Sequence, residues 1–204
     1  MAQRHEPDDS LDDFPTMPWG TRALCNLLEA NYGCLDKLSA WEPACNRGYM
    51  SRPLAEYFHT VHASDIFDYE IDAWIADFLY PTSFPNGRFD APDWIITNPP
   101  FRLAEQFIQR ACEISARGVA MLTRTSFLES SGRYNNLFKP NPPSIVAQFV
   151  ERLPMVKGRM DRKASTATSY CWLIWADGHD STQFQWIPPC RAKLERDSDY
   201  EVAA

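Results

Sequence analysis

The chain has 204 residues, 45% of them apolar and 23% charged, which fits a single globular domain and lies far from a disordered composition. Its net charge of −7 excludes nucleic-acid binding by bulk positive charge and leaves only a local basic patch for that role. No apolar run approaches the ~18 residues of a membrane span, and acidic Met1–Asp13 matches neither a secretory signal nor an Arg-rich transit peptide, so a cytoplasmic protein is expected.

In chain order, residues 1–13 read as a solvated acidic tail. From Thr21 to Asn31 the apolar residues Ala23, Leu24, Leu27 and Leu28 recur at helical spacing, and Tyr32-Gly33 closes the segment. Leu38–Trp41 predicts a short buried strand. Met50–Phe58 resumes a helical pattern, with Pro53 tolerable only in its first turn. Val61–Ser64 predicts a second strand ending at Asp65, and a short helix is expected near Asp72–Ala76. Trp94–Thr97 is a clear strand closed by two prolines, followed by an amphipathic helix over Phe101–Ile114 and a strand over Val119–Leu122. Ser130–Ser144 is turn-rich and is expected to be a long mobile loop. Val146–Leu153 and Ser169–Trp175 predict two further strands joined by a basic loop, and residues 191–204 read as a polar tail.

Alternating strands and helices followed by two strands without a helix predict an α/β fold, a mostly parallel sheet with an antiparallel edge, within one domain over residues 14–190. Ligands of such sheets bind in the loops after the carboxyl ends of the strands. Three loops occupy that place: Glu42–Gly48, Asp65–Asp68 and Asn98–Phe101. The first uses small residues, with Asn46 and Gly48 able to take positive φ, and lacks a phosphate fingerprint, which favours a nucleoside without phosphates. Asp65 lies close to the ~20-residue distance at which an acid beyond such a turn accepts ribose hydroxyls. In the third loop, Pro99 and Pro100 fix the chain direction, leaving the Asn98 amide and the Pro99 carbonyl as acceptors beside the Phe101 ring. That combination suits a planar substrate with an amino group. Cys25, Cys34, Cys45, Cys112, Cys171 and Cys190 form no C-x-x-C pair and read as reduced thiols, so no metal is expected. His59, His62 and His179 read as surface or strand-end residues rather than catalysts.

Asn98-Pro99-Pro100-Phe101 resembles the catalytic motif of S-adenosylmethionine-dependent amino methyltransferases, especially the DNA adenine-N6 enzymes. Glu42-Pro43-Ala44-Cys45 through Gly48 resembles their first motif, in the variant without its usual first glycine. Ser64-Asp65-Ile66 is similar to the acid that binds the cofactor ribose, and Asp77-Phe78-Leu79 to the acidic motif at the cofactor adenine. Phe14 through Leu24, with Thr16 and Trp19, resembles the segment wrapping the cofactor's methionine end. Leu122–Glu129 and Arg152–Trp175 are similar to small phage and prophage members, whose setting is a bacterial or phage-infected host cell.

The resemblance implies a Rossmann-like class I methyltransferase fold with helices on both sheet faces, and S-adenosyl-L-methionine as cofactor. It implies cofactor contacts from Thr16, Trp19, Glu42, Ala44, Gly48, Asp65, Ile66, Asp77, Phe78 and Asn98. It also implies methyl transfer by Asn98, Pro99, Pro100 and Phe101 to adenine in double-stranded DNA, the base flipped out and stacked on Phe101. Asn46 stands where many members carry glycine, which implies weakened rather than lost cofactor binding. RNA adenine, a protein glutamine, or a non-catalytic binding role for the same fold are the alternatives. The densest basic stretch, with Arg152, Lys157, Arg159, Arg162 and Lys163, is expected to meet the phosphate backbone. A monomer or homodimer is expected.

Overall fold

The computed structural model describes residues 12–80, 91–178 and 180–201. Residues 1–11, most of the expected acidic tail, and His179 lie outside them. Eight strands form one sheet in the order β3-β2-β1-β4-β5-β7-β6-β8. They are β1 (Ser39–Glu42), β2 (Thr60–Asp65), β3 (Trp74–Ile75), β4 (Trp94–Thr97), β5 (Gly118–Arg124), β6 (Ile145–Phe149), β7 (Tyr170–Ala176) and β8 (Gln183–Ile187). Pairing is parallel from β3 to β5 and between β6 and β8, while β7 runs antiparallel to both β5 and β6. The expected mostly parallel α/β sheet is present, with its antiparallel strand between β5 and β6.

Strand periodicity builds two cores. Trp94 and Ile96 of β4, Ala120 and Leu122 of β5, and Trp172 and Ile174 of β7 join one cluster with Trp19, Leu24 and Leu28 of helix α1 (Pro18–Tyr32). The alternate residues Ile95, Val119, Met121, Cys171, Leu173 and Trp175 join Phe107, Ile108 and Ala111 of helix α3 (Ala104–Ile114) on the opposite face. These strands are buried on both faces and therefore read as continuous apolar runs. Gly118 is required where β5 opens: a Cβ there would stand 2.6 Å from the Trp94 ring, the residue it faces across the ladder.

Several segments differ from their sequence-based expectation. Helix α2 covers only Ser51–Leu54, and the chain beyond turns loosely while keeping Leu54 and Phe58 buried. Residues expected as a helix near Asp72–Ala76 instead give β3, where Trp74 gains a ladder on Ser64 and stacks on His62 at 5.4 Å. Within Ser130–Ser144 the chain forms a helical turn α4 (Ser131–Arg133) running into a π-helical turn over Tyr134–Phe138. Leu137 is buried there, so burial orders a segment whose composition suggested a loop. The Val146–Leu153 run yields β6 only to Phe149, and β8, whose Gln-Phe-Gln-Trp alternation is a strand pattern, was not expected.

The C-terminal segment, expected as a polar tail, packs on α1 through α5 (Arg191–Leu194) and a 3₁₀ turn (Asp197–Tyr200). Its anchor is ionic. Buried Arg22 of α1 donates to Asp199 at 2.7 and 2.9 Å, to Glu56 at 2.9 Å and to the Leu194 carbonyl at 2.7 Å. Among the described residues no helix is long and apolar enough to cross a membrane. Both Arg22 and Asp199 have side chains only 4% exposed, so removing Asp199 leaves the buried guanidinium with the more exposed Glu56 as its remaining counter-ion. Asp199→Ala is expected to lower the unfolding free energy by about 3 kcal/mol in urea titrations; an unchanged midpoint would show that the segment docks without this pair.

Candidate active site

The parallel ladder places Glu42 at the end of β1, Asp65 at the end of β2 and Asn98 just past β4 on one rim of the sheet. Beyond Glu42 the chain turns sharply through Asn46 (φ 50°) and Gly48 (φ 74°), the left-handed backbone expected of both. Cys45 N–H donates to the Ser64 carbonyl at 3.0 Å, tying this loop to β2. Asp65 is held by backbone alone: its Oδ2 accepts the Asn46 N–H at 2.9 Å and its Oδ1 the Phe67 N–H at 3.0 Å. Each carboxylate oxygen keeps a lone pair for a ligand hydroxyl.

A short strap, Asp12–Phe14, connects the loops. Asp13 Oδ1 accepts from Asn46 Nδ2 at 2.6 Å, both its carboxylate oxygens accept from Arg47, and its carbonyl accepts the Gly158 N–H at 2.8 Å. Asp12 accepts the Phe101 N–H, and the Phe14 carbonyl accepts from Asn98 Nδ2 at 3.0 Å. Asn98 Nδ2 also lies 3.7 Å from Met155 Sδ. With the amide nitrogen pinned this way, Asn98 Oδ1 is a buried acceptor with no hydrogen-bond partner. A buried orphan acceptor at a strand end carries a desolvation cost and marks a place for a donor.

Charge at the rim is mostly negative. Glu42 is 3% exposed, and burial, with the Asp65 charge adding to it, pushes its carboxyl well above the usual carboxylate range, against the hydrogen bond that Ser51 Oγ donates to it. Burial likewise raises Asp65, opposed by the Phe67 and Asn46 N–H groups and reinforced by Asp13. Arg47, over the Tyr69 ring at 4.9 Å, is the cation that meets Asp13 here.

Solved structures share this architecture. The chain aligns with a type I restriction–modification methyltransferase subunit from Streptococcus thermophilus at TM-score 0.61 and 8% identity, over 94% of this chain and 51% of that one. It aligns with a candidate RNA methyltransferase from Pyrococcus horikoshii at TM-score 0.60 and 14% identity, over 84% and 89%. A candidate class I S-adenosylmethionine-dependent methyltransferase from Listeria monocytogenes gives TM-score 0.57 and 15% identity, over 88% and 67%. The fold is that of class I methyltransferases. The chain spans about half the length of the type I subunits it matches. No protein-family model and no curated protein matches the sequence.

Within the methyltransferase fold, Glu42, Gly48, Asp65 and Asn98 share the rim, and Ala44 is half-buried beside them. Ile66 stands 65% exposed next to Asp65. Thr16 is buried, and Trp19 is wholly enclosed in the core against Phe149, its indole N–H without a partner. Phe78 is likewise buried, wedged between Trp41 at 5.2 Å and Phe107 at 4.8 Å, while exposed Asp77 accepts the Leu79 N–H in a turn of its own. Phe101, expected as a free stacking platform, has the Arg124 guanidinium 4.1 Å above its ring and Phe14 at 5.4 Å. Arg124 thus covers one face of the ring.

The basic loop between β6 and β7 does reach the site, through Met155 on Asn98 and Gly158 on Asp13. Its cations are partly committed: Arg152 donates to the Ala167 carbonyl and Ser169, Arg159 pairs with Asp161 at 3.2 Å, and Arg162 pairs with Asp197 at 2.7 Å. Lys157 and Lys163 are exposed. Sequence reasoning missed Asp12, Asp13, Arg124 and Met155. Arg124 had a usable signal, a charge closing the apolar run of the strand beside β4, whereas the others carried none.

A carboxyl whose folded-state pKa lies above its unfolded value costs stability as pH rises, because the folded protein binds the extra proton. Glu42→Gln cannot ionise, so its melting temperature should climb relative to wild type as pH rises above the ordinary glutamate range. A difference that stays flat with pH would show that Glu42 ionises without cost in its buried position.

Proposed function

We propose that this protein transfers a methyl group from S-adenosylmethionine to the exocyclic amino group of adenine in DNA. The observation that carries the reading is the buried, unpartnered Asn98 Oδ1 in an Asn-Pro-Pro-Phe turn at the end of β4. Support also comes from the rim: the carboxylates of Asp13 and Asp65 against Arg47 suit a cationic ligand bearing a diol, as S-adenosylmethionine is. Asp65 would accept its ribose hydroxyls, the loop to Gly48 would let it approach the backbone, and Ile66 would lie against its adenine. When bound, the cofactor supplies the methyl group on a sulfonium.

The amino nitrogen of adenine is a poor nucleophile because its lone pair is delocalised into the ring. Asn98 Oδ1 and the Pro99 carbonyl, accepting its two hydrogens, hold that nitrogen and stabilise the positive charge it develops. Holding both reactants in line supplies much of the remaining acceleration. No tuned general base is needed. A duplex target must be extruded at a cost of a few kcal/mol. DNA is favoured over other acceptors because the match to the type I restriction–modification subunit spans 94% of this chain. RNA is the second reading, favoured by the match to the candidate RNA methyltransferase, which spans most of both chains.

Asp65→Ala should weaken S-adenosylmethionine binding about ten-fold or more, as for the loss of a charge-assisted hydrogen bond of ~1.5–3 kcal/mol. Asn98→Ala should abolish methyl transfer with cofactor affinity nearly intact. Calorimetry measures the first, and mass spectrometry of digested nucleic acid from expressing cells measures the second. Methylated RNA or protein glutamine with unmodified DNA would replace the acceptor, and a wild-type chain that binds no cofactor would leave only a binding role. Replacing Lys157 and Arg159 by Ala should weaken DNA binding across sequences and flatten its salt dependence by about one to two units of log–log slope. A wild-type slope in that double variant would move the nucleic acid to another surface.

A further inference from the structure

The sheet has two edges of opposite character. One is β3, only two residues long, a short edge of the kind that discourages pairing. The other is β8, five residues long, with Phe184 56% and Trp186 63% exposed and no Lys, Pro or charged residue within it. Among the described residues no strand pairs with its outer side. Hydrogen-bond parity shows what that side offers. Gln183 N–H donates to the Ser144 carbonyl and the Ile187 carbonyl accepts from Val150, so the odd-numbered residues of β8 face β6. The N–H and C=O groups of Phe184 and Trp186 therefore point outward.

We infer that β8 is the interface for a second copy of this chain, formed by antiparallel β8–β8 pairing about Gln185. That centre is selected by the sequence of the strand itself. It sets Phe184 opposite Trp186 of the second copy, and the reverse, so the residues with outward backbone groups face each other as hydrogen-bonded pairs. The same pairing gathers the exposed aromatic rings on one face, where Phe184 and Trp186 already touch at 4.7 Å within one chain. Gln185 turns to the other face, where it is held by Asn31 at 2.9 Å.

Charge points to the same partner. Each copy carries −7, yet Ser181–Pro189 contains no charged side chain, so two copies can approach along this edge without a like-charge pair between them.

The test is the mass of the full chain by sedimentation velocity and light scattering across the micromolar range. Wild type should move with concentration from 23.4 kDa toward twice that value. Trp186→Lys should raise the dimer dissociation constant at least ten-fold. Phe184→Pro, which removes an outward N–H and leaves the bonds to β6, should do the same. Should either variant fold poorly by circular dichroism, amide hydrogen exchange in wild type decides instead, with the Phe184 and Trp186 amides gaining protection as concentration rises. A wild type that stays at monomer mass throughout, a dimer undiminished in both folded variants, or edge amides insensitive to concentration would each overturn the inference.

Discussion

Parallel pairing of β1 with β2 on one side and β4 on the other is the constraint from which the site follows. Because parallel strands end at the same rim, Glu42, Asp65 and Asn98 become neighbours although they come from distant parts of the chain. The middle strands β1 and β4 are buried on both faces, with Ala40, Trp94 and Ile96 in one core and Trp41 and Ile95 in the other, while β2 is only partly covered. The loops need only finish what the register begins. Left-handed Asn46 returns its own N–H to Asp65, so the acid is positioned by backbone rather than by a mobile side chain.

Asp12–Phe14 adds the second level of order. It bonds the first loop through Asn46 and Arg47, the Asn98 turn through the Phe14 carbonyl and Phe101 N–H, and the basic loop through Gly158. The Asn98 amide has one nitrogen and one oxygen, and fixing the nitrogen decides where the oxygen points. Among the described residues that acceptor is one of five buried side-chain polar atoms without a partner, and it is the one in the Asn-Pro-Pro-Phe turn past the end of β4. The same strap brings the Asp13 carboxylate near Asp65, where its charge adds to burial in raising the Asp65 carboxyl.

Much of the fold was legible because burial on both faces leaves a direct trace in sequence. Trp94–Thr97 emerged as a strand at its observed bounds, and Phe101–Ile114 and Val119–Leu122 fell on α3 and β5 within a few residues. Elements whose existence depends on a neighbour left a weaker trace. Two-residue β3 forms because β2 offers an edge and His62 a ring for Trp74, and β8 forms on β6 with most of its side chains in solvent. The π-helical turn at Tyr134–Phe138 depends on one buried side chain, Leu137, in a segment otherwise full of turn formers. The terminal segment reads as polar because its anchor is a charge, Asp199, whose burial makes sense only beside Arg22.

For the site, the sequence by itself determined the residue types that chemistry needs at the strand ends: the acid of Asp65, the flexible turn to Gly48, and the acceptors and prolines of Asn98–Pro100. These are local properties, fixed by side-chain chemistry and backbone freedom, and they survive whatever the rest of the chain does. Only the tertiary structure decided which of them meet and what covers them. It enclosed Trp19 and Phe78 in the cores, laid Arg124 over Phe101, and committed Arg152, Arg159 and Arg162 to partners that composition alone counted as a free basic patch. It also turned the acids at Asp12 and Asp13 from a solvated tail into the strap that aims Asn98. Those outcomes depend on contacts between residues far apart in sequence, and a charge or a ring carries no local sign of whether water, another side chain or a ligand will be its partner.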